Sequence, residues 1–211
     1  GSPLRGGSDG TVRFAPAAFD AARVLQAGGS DLAVHAYSVP AVGDWNSDGL
    51  ADLLVGEQTA AGEQTGAGEG KVRVYLNHGT ASAPVYTNFT YAQRSAGSDL
   101  AVDSSGCLGA FPRLTDLDGD GKQDLLIGLA DGRIQFWPNV GTAASPVFGT
   151  PVYLQVGPAG NKSDLSVAAR ATFDLVDWNG DGRRDLVAGG FDGRIHVFLN
   201  ESASAFPDFL A

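Results

Sequence analysis

Asp116-Leu117-Asp118-Gly119-Asp120-Gly121-Lys122-Gln123-Asp124-Leu125 sets carboxylates on alternate residues, then a glycine, then one more acid before an apolar run. The same frame starts at Asp44, with Asn46, Asp48, Gly49 and Asp52 in the equivalent places. It starts again at Asp177, with Asn179, Asp181, Gly182 and Asp185. Acids this close repel one another unless a cation sits between them. Hard oxygens at positions 1, 3 and 5 with glycine at 6 are the chemistry of a Ca²⁺ loop. The loop is not an EF-hand, because position 12 holds Val55, Ile127 or Ala188 in place of a bidentate Glu. The acid that closes each site comes at position 9, as Asp52, Asp124 and Asp185. Leu53-Leu54-Val55-Gly56, Leu125-Leu126-Ile127-Gly128 and Leu186-Val187-Ala188-Gly189 follow. Short apolar runs ending at glycine predict buried strands, so each loop leads into a strand.

The spacing from Asp44 to Asp116 is 72 residues and from Asp116 to Asp177 it is 61. Ser-Asp-Leu precedes each loop, at Ser30, Ser98 and Ser163. A turn and an apolar strand follow each, at Gly70–Tyr75, Asp131–Phe136 and Asp192–Phe198. Asp-Gly between apolar runs predicts a hairpin. A second turn begins at Asn77, Asn139 and Asn200, and a fourth strand is expected to open at Pro84-Val85-Tyr86, Pro146-Val147-Phe148 and Phe206-Pro207-Asp208-Phe209. Each repeat therefore reads as four short antiparallel strands, A before the metal loop, then B, C and D. The repeats span 27–93, 94–155 and 156–211. Residues 1–26 read as a partial unit, since Leu4–Thr11 aligns with Val187–Arg194. The extra length of the first repeat lies between Glu57 and Gly70, a Gly-, Ala-, Gln- and Glu-rich insertion.

Composition narrows the function. The 211 residues hold 30 Gly and 10 Pro with 43% hydrophobic residues, which suits one turn-rich all-β domain. A net charge of −10 argues against nucleic acid. Three bound Ca²⁺ would leave about −4, so the acidity belongs to metal loops more than to a binding surface. No run nears the roughly 18 apolar residues of a membrane span, so no membrane insertion is expected. Cys107 is the single cysteine and has no thiol partner. His35, His78 and His196 fall at unrelated repeat positions, with no zinc spacing and no triad. No catalytic constellation emerges, and the chain reads as a non-enzyme. Loops of this ligand count point to the high Ca²⁺ found outside the cytosol, hence a secreted or cell-surface location. Trp45 and Trp178, at loop position 2, are expected to pack between units. Trp137 finds no counterpart in the other repeats and reads as a surface aromatic.

Four-stranded repeats with this loop between A and B resemble the FG-GAP/VCBS repeats, which build the β-propellers of integrin α-subunits, fungal propeller lectins and many bacterial surface proteins. The resemblance implies an all-β propeller whose four-stranded antiparallel blades number about three per chain plus a partial fourth. It implies three Ca²⁺ sites, with side-chain oxygens at positions 1, 3, 5 and 9 and a backbone carbonyl at position 7, namely Leu50, Lys122 and Arg183. The ring could close within one chain, pair with a second copy as a homo-oligomer through residues 1–26 and 190–211, or be part of a larger protein. The expected role is adhesion, interaction or assembly on a protein or glycan ligand. A carbohydrate-binding lectin and a non-catalytic domain of a larger secreted enzyme are the alternatives.

Overall fold

A computed structural model describes residues 22–59, 69–103, 109–202 and 206–210, with the backbone alone at 5–6 and 12–13. All regular structure among these residues is β. Two hairpins come first: β1 (Arg5–Gly6) with β2 (Val12–Arg13), and β3 (Gln26–Ala27) with β4 (Ser30–Asp31). The remaining residues of the expected partial unit before residue 22 lie outside the described residues, as does Cys107.

The first repeat forms an antiparallel meander of β5 (Ala36–Gly43), β6 (Asp52–Gln58), β7 (Glu69–Tyr75) and β8 (Thr90–Tyr91). The next strand, β9 (Ala101–Asp103), pairs back onto β7. The second repeat runs β10 (Phe111–Thr115), β11 (Asp124–Gly128), β12 (Ile134–Trp137) and β13 (Val152–Tyr153). A hairpin of β14 (Gln155–Val156) and β15 (Ser163–Asp164) leads to the third: β16 (Thr172–Val176), β17 (Asp185–Gly189), β18 (Ile195–Asn200) and β19 (Phe209–Leu210). The A, B and C strands stand where the repeats place them. The D strand does so in the third repeat alone, where β19 opens at Phe209 opposite Asn200. In the first two, Tyr86 makes isolated bridges to Asn77 and Ala27 and Phe148 to Asn139 and Arg94, and the ladder resumes at β8 and β13. The insertion is also shorter than its composition suggests: Glu57, Gln58, Glu69 and Gly70 are strand residues, and 60–68 lie outside the described residues.

The cores lie between sheets. Successive strand residues point to opposite faces, so Leu54 of β6 joins Val72 and Val74 in one cluster with Leu125, Ile127 and Trp137 of the next unit. One unit further along, Leu126, Ile134 and Phe136 share a cluster with Leu186, Ala188 and Phe198. β6 and β11 are thus buried on both faces, which is why they read as unbroken apolar runs, whereas Val187 of β17 is only half-buried. Trp45 is buried against the Phe148 ring at 5.5 Å, as expected of a side chain between units, whereas Trp178, for which the same was expected, is 61% exposed. Trp137 is not a surface residue: it is buried, and its register partner Leu125 matches Leu53 opposite Tyr75 and Leu186 opposite Phe198. Its counterparts are aromatics of other kinds, which a search for Trp alone misses.

In the first two units the glycine four residues after the position-9 aspartate is a close-approach point. A Cβ on Gly56 would lie 1.9 Å from the Ala110 carbonyl oxygen, and one on Gly128 would lie 2.0 Å from that of Ala171. The next unit's backbone enters on these two residues. In the first unit a polar cluster adds to the apolar packing. Buried Glu57 accepts from Arg73 Nε (2.7 Å), the Tyr91 hydroxyl (2.8 Å) and the His35 backbone N–H (3.0 Å). Burial pushes its carboxyl up, but the Arg73 hydrogen bond and the two other donors outweigh this and leave it below the ordinary value.

Two outcomes follow from this packing. Gly128→Ala forces the incoming backbone to shift and should cost about 1–3 kcal/mol, read from urea midpoints; an unchanged midpoint would show that the interface yields. Glu57→Gln should lower stability at neutral pH by leaving half-buried Arg73 without its carboxylate. A depressed native value means that the carboxylate's contribution is complete above the ordinary 4.5 and is lost as pH falls through the native value. The melting temperatures of wild type and Glu57→Gln should therefore converge as pH falls below 4.5 through the lower native value, and a gap independent of pH would count against the ion pair.

Candidate metal centres

Each acidic loop is a tight crossing between strands A and B, wound around its own side chains. In the second loop Asp116 accepts from the backbone N–H groups of Gly119 (2.8 Å) and Gly121 (3.1 Å). Asp118 accepts from Asp120 (3.1 Å), and Asp120 from Lys122 (2.9 Å). The first and third loops repeat this: Asp44 accepts from Gly49 (2.9 Å) and Asp177 from Gly182 (2.9 Å). The glycine at position 6 is needed for its backbone, with φ of 85° at Gly49, 84° at Gly121 and 84° at Gly182.

Among the described residues, Asp116, Asp118 and Asp120 place one carboxylate oxygen each within 4.8 Å of one another. Three convergent hard oxygens fit a divalent oxygen-seeking cation such as Ca²⁺. Loops one and three differ in detail. There the Asn46 amide donates to Asp48 Oδ2 (3.0 Å) and the Asn179 amide to Asp181 Oδ2 (2.8 Å). A half-turn of either amide exchanges that donor for an acceptor oxygen. The position-7 residues sit beside the same groups. Their backbone N–H groups donate to the position-5 carboxylate, at Leu50 (2.8 Å), Lys122 (2.9 Å) and Arg183 (2.9 Å). Lys122 Nζ also reaches Asp120 Oδ2 (2.8 Å), and Arg183 pairs with Asp181. The Lys122 hydrogen bond holds the Asp120 carboxyl below its usual value, and backbone and side-chain donors do the same for Asp181, the Arg183 N–H first.

The position-9 acids stand apart from the three-oxygen cluster. Asp52, Asp124 and Asp185 are fully buried. One oxygen of each accepts from the backbone at loop position 2: Trp45 (2.8 Å), Leu117 (2.9 Å) and Trp178 (2.9 Å). The other accepts from an asparagine at the end of strand C or two residues past it: Asn77 (2.8 Å), Asn139 (2.8 Å) and Asn200 (2.7 Å). Burial, with the neighbouring loop acids adding, pushes the carboxyls of Asp52 and Asp124 up. A cation against a remaining lone pair opposes that shift.

The three asparagines are the part of the site that loop spacing does not show. Asn77 Oδ1 accepts from Gly79 (2.9 Å) and Val85 (3.1 Å); Asn139 Oδ1 from Gly141 (3.0 Å) and Val147 (3.2 Å); Asn200 Oδ1 from Ser202 (3.0 Å) and Asp208 (3.0 Å). Each folds the C–D turn with its side chain and anchors the buried aspartate with its backbone. Their recurrence at one repeat position is the signal that could have found them.

No family model matches the chain. A stretch of 173 residues, 80% of this chain, is 28% identical to integrin alpha-4 of Xenopus laevis. The match takes in 15% of that protein, so the chain spans a small fraction of its relative's length.

Proposed function

We propose that this chain is a Ca²⁺-stabilised β-propeller module, non-enzymatic and extracellular, that serves adhesion, interaction or assembly. The convergence of Asp116, Asp118 and Asp120 carries the reading. Three in-phase copies of that loop and the distant likeness to an integrin α-subunit support it. Ca²⁺ would take side-chain oxygens from positions 1, 3, 5 and 9 of each loop and the carbonyl of Leu50, Lys122 or Arg183. Its work is structural: it neutralises the loop acids and fixes the crossing between strands A and B, so that the buried position-9 aspartate keeps its charge.

A glycan is the second candidate ligand. A cleft of about 670 Å³ lies beside β13 and β19, where the rings of Tyr153 and Phe206 stand near the polar Gln155, Lys162 and Asp164. Rings flanked by hydrogen-bonding groups suit a sugar face. A glycan array with Tyr153→Ala as control decides this reading; no binding by wild type rules it out.

Chelation tests the calcium. A ligand held only by the folded state at 100 times its dissociation constant stabilises by about 2.7 kcal/mol per site. EDTA should therefore lower the melting temperature by several degrees, and excess Ca²⁺ should restore it. Identical curves with and without chelator would end the structural-calcium reading. Calorimetric titration should count three Ca²⁺, and Asp120→Ala should remove one. Asp118→Asn converts the second loop to the Asp-x-Asn-x-Asp form of the other two and should keep three sites. Loss of a site in that variant would mean that loops one and three do not bind either.

A further inference from the structure

Asn179-Gly180 is the one Asn-Gly pair in the sequence, and it lies inside the third acidic loop. In such a pair the next backbone nitrogen reaches the side-chain amide carbon most easily, because glycine puts no side chain in the way. The attack is intramolecular and needs only that the two groups meet. The first loop has Asn46-Ser47 at the same place, and the second has Asp118-Gly119. Position 4 is exposed in all three loops, at Ser47, Gly119 and Gly180, so water reaches it wherever the loop stands along the repeats.

The fold sets three polar groups around this amide. The Gly180 N–H, on the attacking nitrogen, donates to Asp177 Oδ1 (2.8 Å), an acceptor for the proton it must give up. Asn179 Oδ1, where negative charge develops on attack, accepts from the Asp181 N–H (3.0 Å). Asn179 Nδ2, the leaving nitrogen, donates to Asp181 Oδ2 (2.8 Å). The left-handed turn at Gly180, with φ of 78°, carries none of the strain that a side chain brings. Loop one keeps the last two contacts, from the Asp48 N–H to Asn46 Oδ1 (3.2 Å) and from Asn46 Nδ2 to Asp48 Oδ2 (3.0 Å). There Asp44 accepts from Asp48 (3.0 Å) and Gly49 (2.9 Å), the equivalents of Asp181 and Gly182, and the residue in the attacking place is Ser47.

We propose that Asn179 is a self-modifying position, which loses its amide in the folded protein through a cyclic imide. The Gly180 nitrogen bonds to Asn179 Cγ, the Cγ–Nδ2 bond breaks, and ammonia leaves with the Gly180 proton. Water then opens the imide at either carbonyl. Opening at Cγ restores the main chain and leaves aspartate. Opening at the backbone carbonyl leaves isoaspartate, with the chain running through Cγ. The sum is amide plus water giving acid plus ammonia, with no change of oxidation state. Aspartate gives loop three the donor set of Asp116, Asp118 and Asp120, whereas isoaspartate lengthens the loop backbone by one carbon. The step needs no metal, so it stands or falls apart from the calcium reading.

The test is incubation of the whole chain in calcium-free buffer below its melting temperature, folded by circular dichroism. Ion exchange and mass mapping of the peptide that holds residue 179 follow it. The net charge of −10 should become one unit more negative. The change should map to Asn179, as a mixture of aspartate and isoaspartate, while Asn46 keeps its amide. Gly180→Ser copies loop one, where Ser47 holds a left-handed φ of 58°, and should lose the conversion over the same interval. The chain unfolded in urea is the reference. Conversion only after unfolding overturns the proposal, and so does no conversion in either state. Aspartate without isoaspartate overturns it too, because that is direct hydrolysis, and so do equal rates in wild type and Gly180→Ser.

Discussion

A buried carboxylate at the ninth position of each acidic loop ties three pieces of chain together. Asp124 takes an N–H from Leu117 at the loop's start and another from Asn139 two residues past strand C, while itself opening strand B. Asp52 and Asp185 do the same in their units. The interaction is charge-assisted and hidden from water, so it is strong where made and costly where lost. It also sets the problem that the rest of the loop answers, because an anion is held inside beside several more. The hairpin, the turn after strand C and the acid cluster are thus one device.

Packing takes over where the carboxylate stops. Strand B carries its loop aspartate at one end and its close-approach glycine at the other, and between them every residue is apolar. Both faces of β11 are covered, by the sheet before and the sheet after, so the second unit shares its core with both neighbours. The polar latches Lys71–Asp99 and Arg133–Asp164 stand partly exposed over these cores. Exposed pairs add little energy. Their value is in register, since they fix which residue of the linker meets which residue of strand C.

Much of this was legible in the sequence, for identifiable reasons. The loop frame recurs without gaps, and a strand must begin where an apolar run follows an acid, so β6, β11 and β17 could be placed. All-β class and the A–B–C order came from the same recurrence. Strand D was placed too early in the first two repeats because Tyr86 and Phe148 look like strand residues, whereas each makes only isolated bridges. Trp137 was misplaced because aromatic identity changes between repeats while the register position does not. The Glu57–Arg73–Tyr91 cluster was invisible for a different reason: its members come from three strands of one unit and have no repeat signature. At the metal loops the spacing named the residues. It could not say that the Asn46 and Asn179 amides turn their nitrogen towards the neighbouring carboxylate.

Cores that straddle sheet boundaries have an evolutionary consequence. In a protein with one central core, adding a sheet means redesigning the interior. Here an added copy of the whole repeat would present the same two faces, the same glycine seat and the same latch as the units beside it. Gene duplication can lengthen such a chain without creating any contact of a new kind. Selection can then act on the number of repeats as a separate variable, while the A–B loop and the glycine after strand B stay fixed by their own geometry. Insertions are tolerated where neither is touched, as in the longer B–C connection of the first repeat.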